Sequence, residues 1–415
     1  MSLDLIKIVI VGHVDHGKST LIGRLLYETG NVQESKIQDL KNFAEKHGQE
    51  IEFANLLDAF QEEQQQNVTI DTTTIFFKTP EQNYEIIDAP GHKEFLKNMV
   101  TGASSADAAI LIVDAAEGIR EQTKRHAYIL SLLGIKNVIV AINKMDLVEF
   151  NQDRFKQVKE DTYHLLDRLG VKPYAFVPLS AKKGINLSLN NIDSACSWYQ
   201  GRTVLGTLHQ LSEICMKKVV PLRFPVQDVY KVNGKRIIVG RVESGELQKG
   251  DHLLFSPSFR TTRVKSIEKW NNLLEKAGEG ECVGITMDDQ IFIERGETAG
   301  LKGHAPERTN CFEGNVFWLG TKPLEVGKNY LLKLATQETI CQVKHIKKRL
   351  DTSTLEIVGQ NPHEIENMEV GEVVISTQDQ IALDLFSKIP STGRFVIVDD
   401  YDVCGGGIII NKLQN

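Results

Sequence analysis

Gly12-His13-Val14-Asp15-His16-Gly17-Lys18-Ser19, set between the apolar run 8–11 and an amphipathic stretch at 18–28, decides how the first half of the chain folds. It fits the pattern G-x4-G-K-[ST] in the strand-then-helix setting that a phosphate-binding loop requires. Glycines let the backbone curl so that successive N–H groups point at one phosphate. The start of the following helix adds partial positive charge. Asp15, His16, Gly17, Lys18, Ser19 and Thr20 are therefore expected to hold the phosphates of a nucleotide. Lys18 is expected to reach the β- and γ-phosphates, where it also serves catalysis, and Ser19 to ligate Mg2+.

Outward from this loop, short apolar runs at 7–12, 84–88, 108–114, 137–143 and 174–178 read as strands. Between them, 18–28, 122–133 and 153–170 read as helices. Strand and helix in alternation predict a parallel sheet covered on both faces. Residues 72–78 form an expected antiparallel hairpin with 84–88. The stretch 50–66, with its polar run 61–66, reads as a mobile surface segment with helical fragments.

Three further signatures follow in order. Asp88-Ala89-Pro90-Gly91-His92 closes a buried strand, so Asp88 is placed to hold Mg2+ and Gly91 to bring a backbone N–H to the γ-phosphate. Asn143-Lys144-Met145-Asp146 follows another strand. Asp146 would accept both guanine N1–H and the 2-amino group, a contact adenine does not offer, while Lys144 lies along the base plane. Ser180-Ala181-Lys182 follows a third strand and offers a backbone N–H to guanine O6. Open α/β sheets bind ligands at the carboxyl ends of their strands, and all four motifs lie there. Thr69, between the phosphate loop and Asp88, would complete Mg2+ coordination only while a γ-phosphate is present, which makes an order–disorder switch.

Near residue 219 the texture changes to short strands punctuated by glycines, at 236–242, 252–256 and 263–269. A second all-β block begins near Glu313, with strands at 315–319, 330–335, 373–377, 395–398 and, after the glycines at 405–407, 408–411. The expected fold is an α/β P-loop GTPase domain, 1–218, followed by two all-β barrel domains, 219–307 and 308–415.

The 415 residues are 41% hydrophobic and 25% charged, with net charge −7. That balance gives no general attraction to nucleic acid, so no DNA partner is expected. The dense basic cluster Lys344, His345, Lys347, Lys348, Arg349 reads first as a solvated strand face and second as a surface for an acidic or RNA partner. Six cysteines are scattered singly, without zinc or redox spacing, and read as small buried residues with free thiols. No apolar leader and no run near the ~18 residues of a membrane span are found, so a cytoplasmic protein with no membrane partner is expected.

GHVDHGKST, VTID, DAPGH, NKMD and SAK together resemble the elongation factor Tu superfamily of GTPases, over essentially the whole chain. The resemblance implies GTP/GDP and Mg2+ as ligands, with His92 positioning the attacking water behind an apolar gate of Val14 and Val68. The family has Arg-Gly or Glu-Gln-Gly before its Ile-Thr-Ile triplet, whereas Gln65-Gln66-Asn67 stands here, without the charged pair. Within the superfamily, residues 19–26, 122–126 and 132–136 look like the GTPase subunit of heterodimeric sulfate adenylyltransferase. So do Lys322-Pro323-Leu324, Gly327-Lys328-Asn329-Tyr330 and the segment 391–399. That likeness implies a catalytic sulfate adenylyltransferase subunit as partner. His16, where the sulfate family has Asp, and the segment 222–230 are similar instead to translation factors, whose partners are aminoacyl-tRNA or the ribosome.

Overall fold

The uninterrupted apolar runs of the first half become the inner strands of one sheet. The computed structural model describes residues 5–47, 51–57, 74–88, 106–135, 137–188, 196–215, 220–232, 234–269, 272–289, 291–351, 357–360 and 362–413. Thr69, Gly91 and His92 lie outside these residues, as does most of the segment 50–66. The chain divides at Lys217 into two compact units.

The first unit runs β1 (Leu5–Gly12), α1 (Lys18–Glu28), α2 (Glu34–His47), β2 (Thr74–Lys78), β3 (Asn83–Asp88), β4 (Ala108–Asp114), α3 (Glu121–Leu132), β5 (Val138–Asn143), α4 (Gln152–Arg168), β6 (Pro173–Pro178) and α5 (Val204–Cys215). The sheet order is β2-β3-β1-β4-β5-β6. Every neighbouring pair is parallel except β2 with β3. Every residue of β4 and of β5 is buried, which is why these strands show no alternation in sequence. On α1, Leu21, Ile22, Leu25 and Leu26 form the apolar stripe that packs onto Ile8, Ile10 and Ile110 of the sheet. The chain order reverses across β1: β3 lies on one side of it and β4 on the other. The loop after β1 therefore opens into the crevice where such sheets bind ligands.

The second unit holds two closed barrels. In the first, β7 (Phe224–Val232), β8 (Lys235–Arg241), β10 (His252–Ser256), β11 (Arg260–Lys269), β14 (Cys282–Met287) and β15 (Thr298–Leu301) follow the order β10-β15-β7-β8-β14-β11. Pairing of β10 with β11 closes the ring. Short strands β9 (Leu247–Gln248), β12 (Asn272–Leu274) and β13 (Lys276–Ala277) decorate it. Phe224, Phe255, Ile238 and Ile285 fill its interior.

In the second barrel, β16 (Glu307–Trp318), β18 (Asn329–Leu334), β19 (Gln337–Asp351), β22 (Glu369–Leu383), β23 (Arg394–Asp399) and β24 (Asp402–Lys412) follow the order β18-β23-β24-β16-β22-β19. Here β18 pairing with β19 closes the ring, around Phe312, Trp318, Tyr330 and Phe395. Short β17 (Leu324–Glu325) pairs with β21 (Glu364–Ile365), and β20 (Ile357–Gln360) extends β19.

The basic cluster on β19 is largely neutralised within the barrel. Lys347 pairs with Glu313 and, at 3.7 Å, with Glu372. Lys348 reaches Glu372 at 3.5 Å, and Arg349 reaches Glu369 at 2.5 Å. Strands β22 and β16 thus supply a carboxylate to three of the five basic residues, in line with the first reading of the cluster, a solvated strand face. No described helix is long and apolar enough to cross a membrane.

Candidate nucleotide site

The loop between β1 and α1 holds a left-handed backbone at two places. Asp15 has φ 64 and Gly17 has φ 92. Alternation of this kind turns successive amides toward one point, an anion-binding nest. Gly17 is constrained twice, because a Cβ there would also stand 2.5 Å from Asn143 Nδ2. Lys18 arches back over the loop, its ammonium donating to Gly12 O at 2.9 Å and His13 O at 3.0 Å. Its charge is therefore held above the loop's own amides, where a phosphate would sit. Ser19 is exposed in the first turn of α1. Val14 is 54% exposed, and its N–H donates to Gln122 Oε1 at 2.9 Å.

His16 does something different from its loop neighbours. Its side chain is fully buried beneath the loop. Its Nδ1 lies 3.3 Å from the Asp114 N–H and 3.4 Å from Ile112 O. Protonated at Nε2, the ring accepts the Asp114 N–H at Nδ1; protonated at Nδ1, it donates to Ile112 O; either way Nε2 stands 3.8 Å from Glu117 Oε2. Burial is the main cause that holds the ring's pKa below the ordinary histidine value.

At the end of β5, Asn143 joins two loops. Its Nδ2 donates to His16 O at 2.8 Å, and its Oδ1 accepts the Ala181 N–H at 2.9 Å. The phosphate loop and the Ser180–Ala181–Lys182 loop are thus tied to one buried amide side chain. Ser180 is buried, its Oγ accepting the Lys183 N–H at 3.2 Å. The Lys182 carbonyl accepts from Arg24 Nη1 at 3.3 Å. Lys144 has φ 58 and its ammonium stands 2.9 Å from Asp114 Oδ2. Asp146 follows in a 3-10 turn, Met145–Val148, partly exposed at the mouth of the site.

The structure therefore brings Asp15 to Thr20, Asn143, Lys144, Asp146 and Ser180 to Lys182 to one edge of the sheet. The backbone of Asp88 ends β3 opposite Ile10, two residues before Gly12; its side chain lies outside the described residues. Two residues that no motif flagged belong to the same edge, Asp114 and Arg154. The available signal was positional: Asp114 ends a wholly apolar strand in register with Asn143.

Comparison with known proteins agrees with this geometry. The family model for the elongation factor Tu GTP binding domain matches residues 3–221. The GTP-eEF1A C-terminal domain-like model matches residues 311–410. Elongation factor 1-alpha of Pyrococcus furiosus is 39% identical over 98% of this chain and 97% of its own. Sulfate adenylyltransferase subunit 1 of Teredinibacter turnerae is 36% identical over 99% of this chain and 88% of its own. The same subunit of Cellvibrio japonicus is 35% identical over 99% and 88%. A sheet with the glycine loop at its switch point followed by two closed barrels, matched along nearly the full length of such relatives, places the chain in the elongation factor Tu family of GTPases.

Proposed function

We propose that this GTPase drives the adenylylation of sulfate by ATP on a separate catalytic subunit. In this reading Lys18 neutralises the β- and γ-phosphates, and Asp146 with Lys144 selects guanine. Ser19, Thr69 and Asp88 would hold Mg2+, which when bound offsets charge on the phosphate oxygens. His92 orients the water that attacks the γ-phosphate, giving GDP and phosphate. Thr69 is released when that phosphate leaves, and the segment around it changes order. The domain boundaries of the reading lie near 218 and 307.

The observation that favours sulfate activation lies in the second barrel. Of the segments that resemble the sulfate family, the three in this barrel, at 322–324, 327–330 and 391–399, are apart in sequence yet meet in the fold. Strand β18 pairs with β23, Leu331 opposite Val398. Lys328 Nζ stands 2.6 Å from Asp399 Oδ2. Trp318 Nε1 donates to Lys322 O at 2.7 Å, and the Trp318 and Tyr330 rings meet edge to face at 5.8 Å. Trp318, Leu324, Tyr330 and Phe395 belong to the barrel core, so the likeness supports a barrel built as in the sulfate family, with the Lys328–Asp399 pair at its rim.

Delivery of aminoacyl-tRNA is the second reading. It is favoured by the 39% identity to elongation factor 1-alpha and by His16 in the phosphate loop. One experiment separates the two. The chain is co-purified with an ATP-dependent sulfate adenylyltransferase subunit, and phosphate release and adenylyl sulfate are followed together. Sulfate coupling requires GTPase acceleration by ATP, sulfate and partner, and a product yield that rises with GTP but not with GDP. A GTPase indifferent to these and stimulated by ribosomes establishes the second reading instead.

A further inference from the structure

Strands β4 and β5 end side by side in polar residues, Asp114 paired with Asn143. Asn143 belongs to the guanine signature; Asp114 belongs to no signature. Yet Asp114 is only 1% exposed. A buried carboxylate is costly unless it is paired and hydrogen-bonded, so its partners show what it serves.

Oδ1 of Asp114 accepts the Ala116 N–H at 2.7 Å and the Glu117 N–H at 3.1 Å. These two amides fix the rotation of the carboxylate and leave Oδ2 to Lys144 Nζ at 2.9 Å. The turn itself is braced from α4. Arg154 Nε donates to Ala115 O at 2.7 Å, and Nη2 donates to Ala116 O at 2.9 Å. The Gly118 N–H closes the turn on Asp114 O at 2.8 Å, and the Ala115 N–H ties it to Asn143 O at 2.8 Å. The Asp114 N–H also reaches His16 Nδ1 at 3.3 Å. One residue thus touches the phosphate loop with its backbone and the guanine loop with its side chain. Burial pushes the carboxyl up, but the Lys144 ammonium and the turn amides outweigh it and keep the group an anion at neutral pH.

We propose that Asp114 is a positioning residue for guanine recognition, clamping the Lys144 ammonium so that the lysine stem lies along the plane of the base. The inference rests on the guanine reading of Asn143-Lys144-Met145-Asp146. A lysine stem has four rotatable bonds, and holding its tip in advance removes rotamer freedom that nucleotide binding would otherwise have to freeze. Asp114 touches no part of the nucleotide in this account and acts through Lys144 alone.

The test is a double-mutant cycle on the full chain, read as the dissociation constant of a fluorescent GDP. Asp114→Asn should weaken GDP by about tenfold, the loss expected of one charge-assisted contact. Lys144→Ala should weaken it at least as much. The double variant should bind no more weakly than Lys144→Ala alone, because both changes remove one shared element. In GTP hydrolysis, Asp114→Asn should raise KM and leave kcat at saturating GTP in place. If Asp114→Asn melts early, Asp114→Glu, which keeps the charge, replaces it in the cycle. It should fall between wild type and Lys144→Ala, and its effect too should vanish beside Lys144→Ala. Multiplying effects in the cycle would mean that Asp114 supports the fold and not Lys144, and would overturn the proposal. GDP affinity untouched by Lys144→Ala would overturn the guanine reading of that loop, and the proposal with it.

Discussion

His16 and Asp146 show how single side chains set the conditions under which the site works. His16 is neutral in the fold, because burial disfavours its charged form, but it is free to protonate in the unfolded chain. Between about pH 6.5 and its lower folded-state pKa, the unfolded state binds the proton more readily than the folded one, so stability falls as pH drops through that window. Asp114 acts in the same direction in a lower window. Its carboxyl lies below the ordinary value, so its contribution is complete above pH about 4 and is lost as pH falls through the folded-state pKa. Thermal melts between pH 7 and pH 5, to order of magnitude, should therefore decline in wild type and flatten in His16→Asn, whose amide oxygen still accepts the Asp114 N–H. An equal decline in the variant would clear His16 of responsibility. Asp146 carries a different prediction. In the proposed reading its carboxylate accepts from two donors on guanine, so wild type should bind GDP far more tightly than ADP. Asp146→Asn should shift preference toward xanthine nucleotides, whose extra carbonyl accepts from the new amide. Calorimetric titration with GDP, XDP and ADP checks this, and equal wild-type affinity for GDP and ADP would exclude the guanine assignment.

Elements differ in how openly they declare themselves. Helix α4 opens at Asn151, whose side-chain oxygen accepts the Arg154 N–H at 2.9 Å. Asn151→Ala should cost about 1 kcal/mol of stability, the usual value of an N-cap, seen as a lower urea midpoint at unchanged slope. Because Arg154 in the first turn of α4 also braces the turn after Asp114, the same substitution should weaken GDP modestly. The strands β1, β4 and β5 and helix α1 were legible because each pairs an uninterrupted run or a clear stripe with a terminal motif. Helices α2 and α5 escaped a reading that placed strands by apolar runs. On α5, Val204, Leu205, Leu208 and Leu211 join the core, yet no motif marks where it begins. Strand β16 was read as 315–319 and extends over Glu307–Trp318, while β22 was read as 373–377 and extends over Glu369–Leu383. Register shifts between Thr309 and Cys311, and between Glu313 and Gly314, interrupt the alternation that sequence reading depends on. In the site, the described residues of the named signatures, 15–20, 143, 144, 146 and 180–182, share one sheet edge, and their spacing points there. Asp114 was not, because an aspartate at a strand end means nothing until a register sets it beside Asn143 and a fold sets it beside Lys144.

At the scale of the molecule, the question is whether the two barrels can carry a signal as one body. Arg223, just before β7, and Asp384, just after β22, are 3% and 6% exposed and form a two-pronged pair, Nε to Oδ2 at 2.7 Å and Nη2 to Oδ1 at 2.8 Å. Arg223 Nη1 also donates to Leu222 O at 2.8 Å and His304 O at 2.6 Å. The Thr392 hydroxyl gives Asp384 Oδ2 a further bond at 2.6 Å. Arg223 is thus satisfied from both barrels and from the link between them, and Asp384 from both barrels. Deleting one partner of such a pair strands the other in a buried, uncompensated state, which costs about 3–5 kcal/mol, whereas removing both for apolar groups of similar size is often nearly neutral. Asp384→Ala should therefore destabilise the second unit strongly, and Arg223→Met with Asp384→Leu should recover most of the loss. The two barrels should unfold in one urea transition in wild type and in the double variant, and separately in Asp384→Ala. Hydrogen exchange resolved to each barrel reads this directly. If Asp384→Ala keeps a single transition at wild-type midpoint, the pair is not the clamp and the other contacts between the barrels hold them together. If the clamp fails as expected, partner-stimulated GTPase activity should fall with it while GDP affinity stays, because the nucleotide site lies wholly in the first unit and only the coupling runs through the barrels.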